Sequence, residues 1–238
     1  MEPIYLDHNA TTPTRPEVVE AMAACYREGY ANPASQHLAG QRAKRRLEDA
    51  RERIGEILGL QQSASSPDRV VFTSGGTESN CLALFGMGTA RGQGAGQIII
   101  SAIEHASIIE PAERLLSLGW RFDQIGADER GIVRAERLEG LLSAETRLVS
   151  VVLANHDTGA VQPVAELAEI CRKHGVPIHT DAVQAAGKMP IHFRGLGVEA
   201  MSIAAHKFQG PAGIGALLVR SGVAIQPVLY GGHQQWAV

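Results

Sequence analysis

The sequence has few cysteines and no long apolar run. Its three cysteines, at positions 25, 81 and 171, are odd in number and widely spaced. This pattern excludes a disulfide scaffold and a CxxC metal site, and it favours a reducing compartment, so we expect a cytoplasmic protein. Apolar runs such as 148–154 are too short to cross a bilayer, and the acidic start at Glu2 is unlike a signal peptide. We therefore expect no membrane partner.

Charge of either sign is also modest. The net charge is -3 and charged residues make up 20% of the chain, against 45% hydrophobic residues. These values are typical of a globular protein and give no electrostatic reason to expect a nucleic-acid partner. Lysine is scarce, with Lys44, Lys173, Lys188 and Lys207 the only four. A reaction that needs a lysine amine therefore has few candidates.

Apolar strands alternate with amphipathic helices along the chain. Strands are predicted at 69–73, 97–101, 120–125, 147–154, 177–180, 200–204 and 214–219, and helices at 16–28, 41–58, 78–90, 108–118 and 164–174. This alternation predicts an α/β fold with a mostly parallel sheet and helices on both faces. Ligands of such sheets bind at the carboxyl ends of the strands, so the polar residues that follow each strand are the candidates for function.

The first candidate is the turn Ser74-Gly75-Gly76-Thr77-Glu78-Ser79, between a strand and a helix. Glycines allow a ligand to approach the backbone closely, and a helix N-terminus favours an anion such as phosphate. Thr77 adds a hydroxyl. The alternative is an ordinary tight turn with a threonine cap. The turn is not a nucleotide P-loop, since GxxxxGK[ST] is absent from the sequence.

Two further candidates follow strands. His105 is either an acid/base group, a ring stacked on a ligand, or a capping residue. Asp181 ends an apolar strand and precedes Gln184, and a buried carboxylate there needs a cationic or N–H partner. A protonated heterocyclic nitrogen would supply one, whereas the alternative is a helix cap. A metal site from His174, His179 and Asp181 fits no recognised ligand spacing.

The fourth candidate is Lys207, in Ala204-Ala205-His206-Lys207-Phe208-Gln209-Gly210-Pro211. It follows an apolar strand, whereas the other three lysines are interpreted as solvated surface residues. A lysine held at a strand end loses its proton more readily and can form a Schiff base with an aldehyde. A phosphate cradle, a stacking ring, a carboxylate and a Schiff-base lysine together form the supports of pyridoxal 5′-phosphate.

These motifs resemble those of cysteine desulfurases of the NifS/IscS type, which are fold type I pyridoxal-phosphate enzymes. The resemblance extends over essentially the whole chain and keeps the family's order. It is carried by residues 4–12, 32–35, 73–80, 104–105, 154–163, 179–184 and 206–215.

The resemblance implies a role for each candidate residue. Lys207 would be the Schiff-base lysine and His105 the stacking and proton-handling group. Asp181 would face the pyridine nitrogen, and Gln184 the phenolic oxygen. The phosphate would be held by the residues Gly76, Thr77 and His206.

Two positions depart from the family pattern inside the implied site. The family usually has Asn-Asn-Glu where this chain has Asn155-His156-Asp157, so His156 stands where an asparagine contacts the phenolic oxygen. An imidazole N–H still donates there. Ala204 stands where the family often has a serine, and one lost hydrogen bond to phosphate weakens binding by about 1 kcal/mol.

The resemblance implies a domain plan and an activity. Residues 1–15 would be an N-terminal arm and 16–238 a cofactor-binding large domain, with the small domain largely missing. The family converts L-cysteine to L-alanine and passes the sulfur to an acceptor or scaffold protein for iron–sulfur assembly or thiolation. We expect a homodimer, and little sulfide release by this chain alone. The alternatives are a non-catalytic truncated paralogue, or a selenocysteine lyase or aminotransferase-type enzyme.

Overall fold

One mixed sheet forms the centre of the molecule. A computed structural model describes residues 4–29, 31–63, 65–231 and 235 of the chain. Within them lie seven strands: β1 (Arg69–Thr73), β2 (Gln97–Ser101), β3 (Arg121–Ile125), β4 (Thr146–Val152), β5 (Ile178–Asp181), β6 (Ala200–Ala204) and β7 (Gly215–Val219). Their order across the sheet is β1-β7-β6-β5-β4-β2-β3.

The pairing is mostly parallel, as predicted. β7 runs antiparallel to its neighbours β1 and β6, whereas the pairs among β2, β3, β4, β5 and β6 are parallel. Because β1 and β6 flank the same antiparallel strand, β1 also points in the direction of β6. The carboxyl ends of β1, β2, β4, β5 and β6 therefore lie at one edge of the sheet.

Helices cover both faces. They are α1 (Pro16–Glu28), α2 (Leu38–Leu58), α3 (Gly76–Cys81), α4 (Ala106–Ser117), α5 (Ala135–Glu139), α6 (Val164–Lys173) and α7 (Phe193–Leu196). One apolar cluster joins the sheet to α2, α5, α6 and α7, and a second joins the opposite face to α4 and the segment that follows α3. Successive strand residues such as Val70 and Val71 belong to opposite clusters, as the two-residue period of a strand requires.

Some element boundaries differ from the sequence prediction. The helix predicted over 78–90 begins at Gly76 and widens into a π-helical segment at Leu82–Met87. α2 begins at Leu38 rather than residue 41, because the His37 side chain accepts a hydrogen bond from the Gly40 N–H at 3.2 Å and caps the helix. The short helices α5 and α7 were not predicted, since four or five residues show too little periodicity.

The N-terminal segment lies across the loop that follows β6. Thr12 donates to the carbonyl of His206 through both its N–H, at 2.9 Å, and its hydroxyl, at 2.7 Å. The Thr12 hydroxyl also accepts from the Gln209 N–H at 2.7 Å. α1, which comes next, contributes no buried residue to the described part of the chain. Across the described ranges, no helix combines the length and the hydropathy needed to cross a membrane.

Candidate active site

A cavity of about 540 Å³ opens at the sheet edge where the five strand ends meet. All eight residues singled out from the sequence line it: Gly76, Thr77, His105, His156, Asp181, Gln184, His206 and Lys207. Asp7, Asn9, Ala10 and Asn80 also belong to its wall. The volume falls in the range of about 300–1,000 Å³ that is usual for small-molecule sites.

The turn after β1 presents the start of α3 to the cavity. The N-cap is Gly75, so the alternative of a Thr77 cap is wrong. The first backbone bond of this turn is the one from the Ser79 N–H to the Gly75 carbonyl, at 3.1 Å, which leaves the preceding N–H groups without a helical partner. A methyl group on Gly76 would lie 2.8 Å from a Val183 methyl carbon. A larger residue at position 76 would therefore require the Val183 side chain to move.

His105 is both a helix cap and a wall of the cavity. Its Nδ1 accepts a hydrogen bond from the Ser107 N–H at 3.0 Å, which caps α4, and lies 2.8 Å from the Ser107 hydroxyl. A neutral His105 ring therefore carries its proton on Nε2. The ring centroid lies 5.4 Å from that of His156, with 75° between the ring planes. Burial lowers the pKa of His105, and the nearby Asp181 charge opposes this shift.

Asp181 is buried at the end of β5 and accepts two hydrogen bonds. Its Oδ1 accepts from the Val183 N–H at 2.9 Å, and its Oδ2 accepts from the Asn80 side-chain amide at 2.7 Å. The same Asn80 nitrogen donates to the Ser107 hydroxyl at 2.9 Å. Burial raises the pKa of Asp181, and these donors and the nearby histidines oppose that rise.

The amine of Lys207 lies within the cavity, in the turn Ala205–Lys207 that follows β6. It donates to the carbonyl oxygen of Asn9 at 2.6 Å. Burial lowers the pKa of Lys207, the charge of Lys188 lowers it further, and Asp181 and Asp7 oppose the shift. A lowered pKa leaves a larger fraction of the amine unprotonated and nucleophilic at neutral pH.

The remaining candidates surround Lys207. Gln184 donates to the Asn9 carbonyl at 2.8 Å, and the Asn9 side chain donates to the carbonyl of His156 at 3.3 Å. The His206 ring lies 3.2 Å from the Thr11 hydroxyl, and burial lowers its pKa. The N-terminal segment therefore closes one side of the cavity.

Sequence reasoning missed Asn80 and Asn9. Asn80 lies three residues after Thr77, so it repeats on the same face of the helix, and this spacing was a usable signal. Asn9 had no such local signal, because its contact with Lys207 spans 198 residues. Lys188 was interpreted as a solvated surface lysine. Its residue is exposed, but its amine is hydrogen-bonded to Asn9 and Gln184.

The structure does not bring His174, His179 and Asp181 together as a metal site. Both ring nitrogens of His179 lie 2.9 Å from serine hydroxyls, of Ser150 and Ser202, inside the sheet. His174 lies at the exposed end of α6 with Nδ1 3.0 Å from the carbonyl of Ile170. Within the described residues, no group of three or more His, Cys, Asp or Glu side chains is placed to hold a metal ion.

The open α/β sheet brings a lysine, a buried aspartate and a helix N-terminus to one cavity, an arrangement typical of fold type I pyridoxal-phosphate proteins. The sequence profile described as aminotransferase class-V matches residues 4–237. The chain belongs to the aminotransferase class-V family, whose cofactor is pyridoxal 5′-phosphate.

Curated relatives in this family are named as desulfurases. The chain is 40% identical to the cysteine desulfurase IscS of Dictyoglomus turgidum over 232 residues, which are 98% of this chain and 58% of that protein. It is 40% identical to the IscS-like cysteine desulfurase of Mycobacterium tuberculosis, covering 97% of this chain and 59% of that one. The chain thus spans less than three fifths of the length of these relatives.

Solved structures give the same assignment of fold. A NifS-like protein superimposes with a TM-score of 0.92 at 38% identity, covering 98% of this chain and 63% of the other. A structure titled SspA in complex with cysteine superimposes with a TM-score of 0.91 at 32% identity, covering 98% and 66%. The predicted fold class and the family resemblance are therefore confirmed.

The donor set of the cavity fits pyridoxal phosphate. Asp181 is buried and its two carboxylate oxygens accept only neutral donors, so a protonated ring nitrogen would supply the cation that a buried carboxylate needs. The amine of Lys207 shares the cavity, where an aldehyde could reach it. Gly76 and Thr77, at the start of α3, line the same cavity.

Proposed function

We propose that this chain carries the cofactor-binding half of a pyridoxal-phosphate cysteine desulfurase. The observation that carries the proposal is the convergence of Lys207, Asp181, His105 and the Gly76–Thr77 turn on one cavity. The reaction would convert L-cysteine to L-alanine and transfer the sulfur atom to an acceptor thiol, which becomes a persulfide. The relatives named as cysteine desulfurases and the cysteine complex of SspA support this substrate.

Lys207 and Asp181 would hold the two reactive ends of the cofactor. Lys207 offers an amine of lowered pKa for covalent attachment to the aldehyde, and an ionised Asp181 would keep the ring nitrogen protonated. When bound, the cofactor supplies an electron sink for the negative charge that develops at the α carbon of the amino acid. Val183 and Asn80 donate to Asp181 and so stabilise its ionised form.

His105 would stack on the ring and handle a proton. Its Nδ1 accepts from the Ser107 N–H, so the proton of the neutral ring is on Nε2, and this N–H is the group left to donate to a ligand. Gly76, Thr77 and His206 would bind the phosphate through backbone N–H groups, a hydroxyl and an imidazole.

Gln184 and His156 would contact the phenolic oxygen. The Asn9 carbonyl accepts from both the Gln184 amide and the Lys207 amine, so Gln184 lies next to the lysine that would hold the cofactor. His156 brings an imidazole where the family usually has an amide. An N–H of either side chain stabilises an oxygen that carries negative charge.

We also propose the domain plan, the assembly and the location. Residues 1–15 would act as an arm that closes the site, and 16–238 as the large domain. The bonds from Thr12 to the loop of His206 support the arm. A homodimer would cover α1, whose Val19 and Tyr26 are 53% and 80% exposed. The sulfur acceptor would be a scaffold protein of iron–sulfur assembly or thiolation, and the compartment the cytoplasm.

Reductive trapping tests the cofactor assignment. Pyridoxal phosphate is added to the purified chain, the adduct is reduced with borohydride, and peptide mass spectrometry locates it among four lysines. We expect modification at Lys207, with a visible absorbance band that Lys207→Ala abolishes and that Lys173→Ala, the surface control, retains. A wild-type protein that stays colourless in excess cofactor contradicts the proposal, as does labelling spread evenly over the lysines.

The activity is tested by the products of each substrate. Alanine formation from L-cysteine is measured with a thiol acceptor, beside parallel reactions with L-selenocysteine and with an amino acid plus a keto acid. Preference for cysteine supports the desulfurase. Turnover of only one of the other substrates would replace it by a selenocysteine lyase or an aminotransferase. Low turnover of cysteine is expected of this chain alone, since it spans 58% of the relative's length, so cofactor trapping and the preference among substrates decide the test.

A further inference from the structure

Lys188 lies at the rim of the candidate site, in contact with two of its residues. Its amine donates to the side-chain oxygen Oε1 of Gln184 at 2.5 Å and to the side-chain oxygen of Asn9 at 3.3 Å. Nothing in the proposed chemistry uses this amine. It is an exposed residue whose nitrogen is nevertheless held by two partners that also contact the centre of the site.

The contact with Lys188 fixes which way the Gln184 amide faces. A side-chain amide has an oxygen that accepts and a nitrogen that donates, and an ammonium group can only donate. The Gln184 oxygen must therefore face Lys188, because the reversed amide would set two donors against each other. This leaves the Gln184 nitrogen on the other side, where it donates to the Asn9 carbonyl at 2.8 Å.

The Asn9 residue connects Lys188 to Lys207. The Asn9 side-chain oxygen accepts from Lys188, and the Asn9 carbonyl oxygen accepts from both Gln184 and Lys207, the latter at 2.6 Å. Two lysines thus lie on opposite ends of one asparagine. The positive charge of Lys188 disfavours the charged form of Lys207.

The other ionisable groups around Lys207 are few. Asp181 at the end of β5 and Asp7 in the N-terminal segment favour its charged form and raise its pKa, against the effects of burial and of Lys188. His206, its chain neighbour, and His105, at the start of α4, also interact with its charge.

We propose that Lys188 is a positioning residue of this site: its ammonium holds the Gln184 amide with the N–H toward the cavity and, through Asn9, keeps Lys207 in place. The inference rests on the proposed function for the roles of Gln184 and Lys207. It adds that Lys188, which is outside the cavity wall, sets the orientation of the Gln184 amide and influences the charge of Lys207.

The small number of lysines makes a direct test practicable. Protein made with lysine labelled with ¹³C at Cε gives four signals, which are assigned by single Lys→Arg variants and titrated by NMR without cofactor. Removal of a neighbouring positive charge raises the pKa of an amine, so Lys188→Met is expected to raise the pKa of Lys207. Lys173→Met, at the end of α6, is the matched control and leaves the Lys207 titration unchanged.

A second readout and a rescue separate positioning from folding. Lys188→Arg keeps a charged donor, so it is expected to retain the wild-type titration of Lys207 and the side-chain amide signal of Gln184, whereas Lys188→Met shifts both. An unchanged Lys207 titration in Lys188→Met overturns the proposal, and so does an arginine variant that behaves like the methionine one. Neither readout involves cofactor, so failure of reductive trapping on Lys207 is a separate result that refutes the proposed function alone.

Discussion

His179 offers a direct measure of how burial controls charge in this fold. Its ring bridges three strands, with Nδ1 2.9 Å from the Ser150 hydroxyl and Nε2 2.9 Å from the Ser202 hydroxyl. A neutral ring donates to one hydroxyl and accepts from the other. Burial lowers the pKa of His179 from 6.5 to about 3. The folded protein therefore resists protonation of a ring that the unfolded chain protonates freely.

The sign and size of the effect on stability follow from this difference. Because the folded-state pKa is depressed, the unfolded state binds more protons below pH 6.5, and stability is lost as the pH falls from 6.5 toward 3. Each pH unit in that window costs about 1.4 kcal/mol. Acidification from pH 7 to pH 5 should therefore cost about 2 kcal/mol through His179 alone.

Other buried groups respond to pH in the opposite direction, so the assay uses a difference. Burial raises the pKa of Glu104 from 4.5 to about 8. The folded state therefore binds more protons than the unfolded state between these two values, and the protein gains stability as the pH falls from 8 to 4.5. Urea unfolding of wild type and His179→Gln at pH 7, 6 and 5 cancels such contributions, since both proteins share them. We expect the wild type to lose about 2 kcal/mol relative to the variant between pH 7 and pH 5.

The reasoning fails if the difference between wild type and variant is independent of pH. His174→Gln, at the exposed end of α6, is the matched control for the substitution itself. If His179→Gln does not fold at pH 7, it is replaced by Ser202→Ala, which keeps the His179 ring but removes the hydroxyl beside its Nε2. This variant should retain a pH dependence in the same direction as the wild type, because burial, the cause of the lowered pKa, remains.

Two further substitutions test the packing around the site. A methyl group on Gly215 would lie 2.7 Å from the backbone carbonyl carbon of Gly75, so Gly215→Ala should cost about 1–3 kcal/mol in urea unfolding, whereas Gly140→Ala, whose nearest atom would be 3.8 Å away, should cost far less. Arg194→Met removes two bonds of 2.6 and 2.8 Å to the buried Asp68 carboxylate and should cost about 2–3 kcal/mol at pH 7. Burial raises the pKa of Asp68, but the hydrogen bonds that its carboxylate accepts outweigh burial and leave the pKa lowered. The loss of stability in Arg194→Met should therefore shrink as the pH falls through the folded-state pKa of Asp68. An equal cost for the two alanine variants, or a cost for Arg194→Met that grows on acidification, would contradict these expectations.

The predictable residues of the site are those at the carboxyl ends of the parallel strands. Lys207 and His105 follow strands and Asp181 ends one, and parallel strands bring such residues to one edge whatever the details of packing. The fold class was accessible for the same reason, because apolar strands alternating with amphipathic helices have few other solutions. The order of the strands was not accessible, since no local pattern states that β7 inserts antiparallel between β1 and β6.

The unpredictable parts depend on contacts between distant segments. Lys188 looks like a surface residue from its turn and its charge, and only the N-terminal segment, folded back over the cavity, gives its amine a second partner. Asn9 acts through its backbone carbonyl, a group that every residue carries and that no motif can distinguish. The π-helical segment at Leu82–Met87 packs its apolar residues into the cluster on one face of the sheet, and no local pattern in its sequence indicates a π-helix.

Two buried carboxyl groups lie near the strand ends, and burial raises the pKa of both. Glu104 receives the Ser101 hydroxyl and the Val152 N–H on one oxygen, its other oxygen has no partner among the described residues, and burial raises its pKa to about 8. Glu104 is therefore mostly protonated at neutral pH. Asp181 receives one donor on each oxygen, which favours its ionised form. A protonated Glu104 adds no negative charge beside Asp181, and a protonated ring nitrogen would be the cationic partner that favours the ionised form of Asp181.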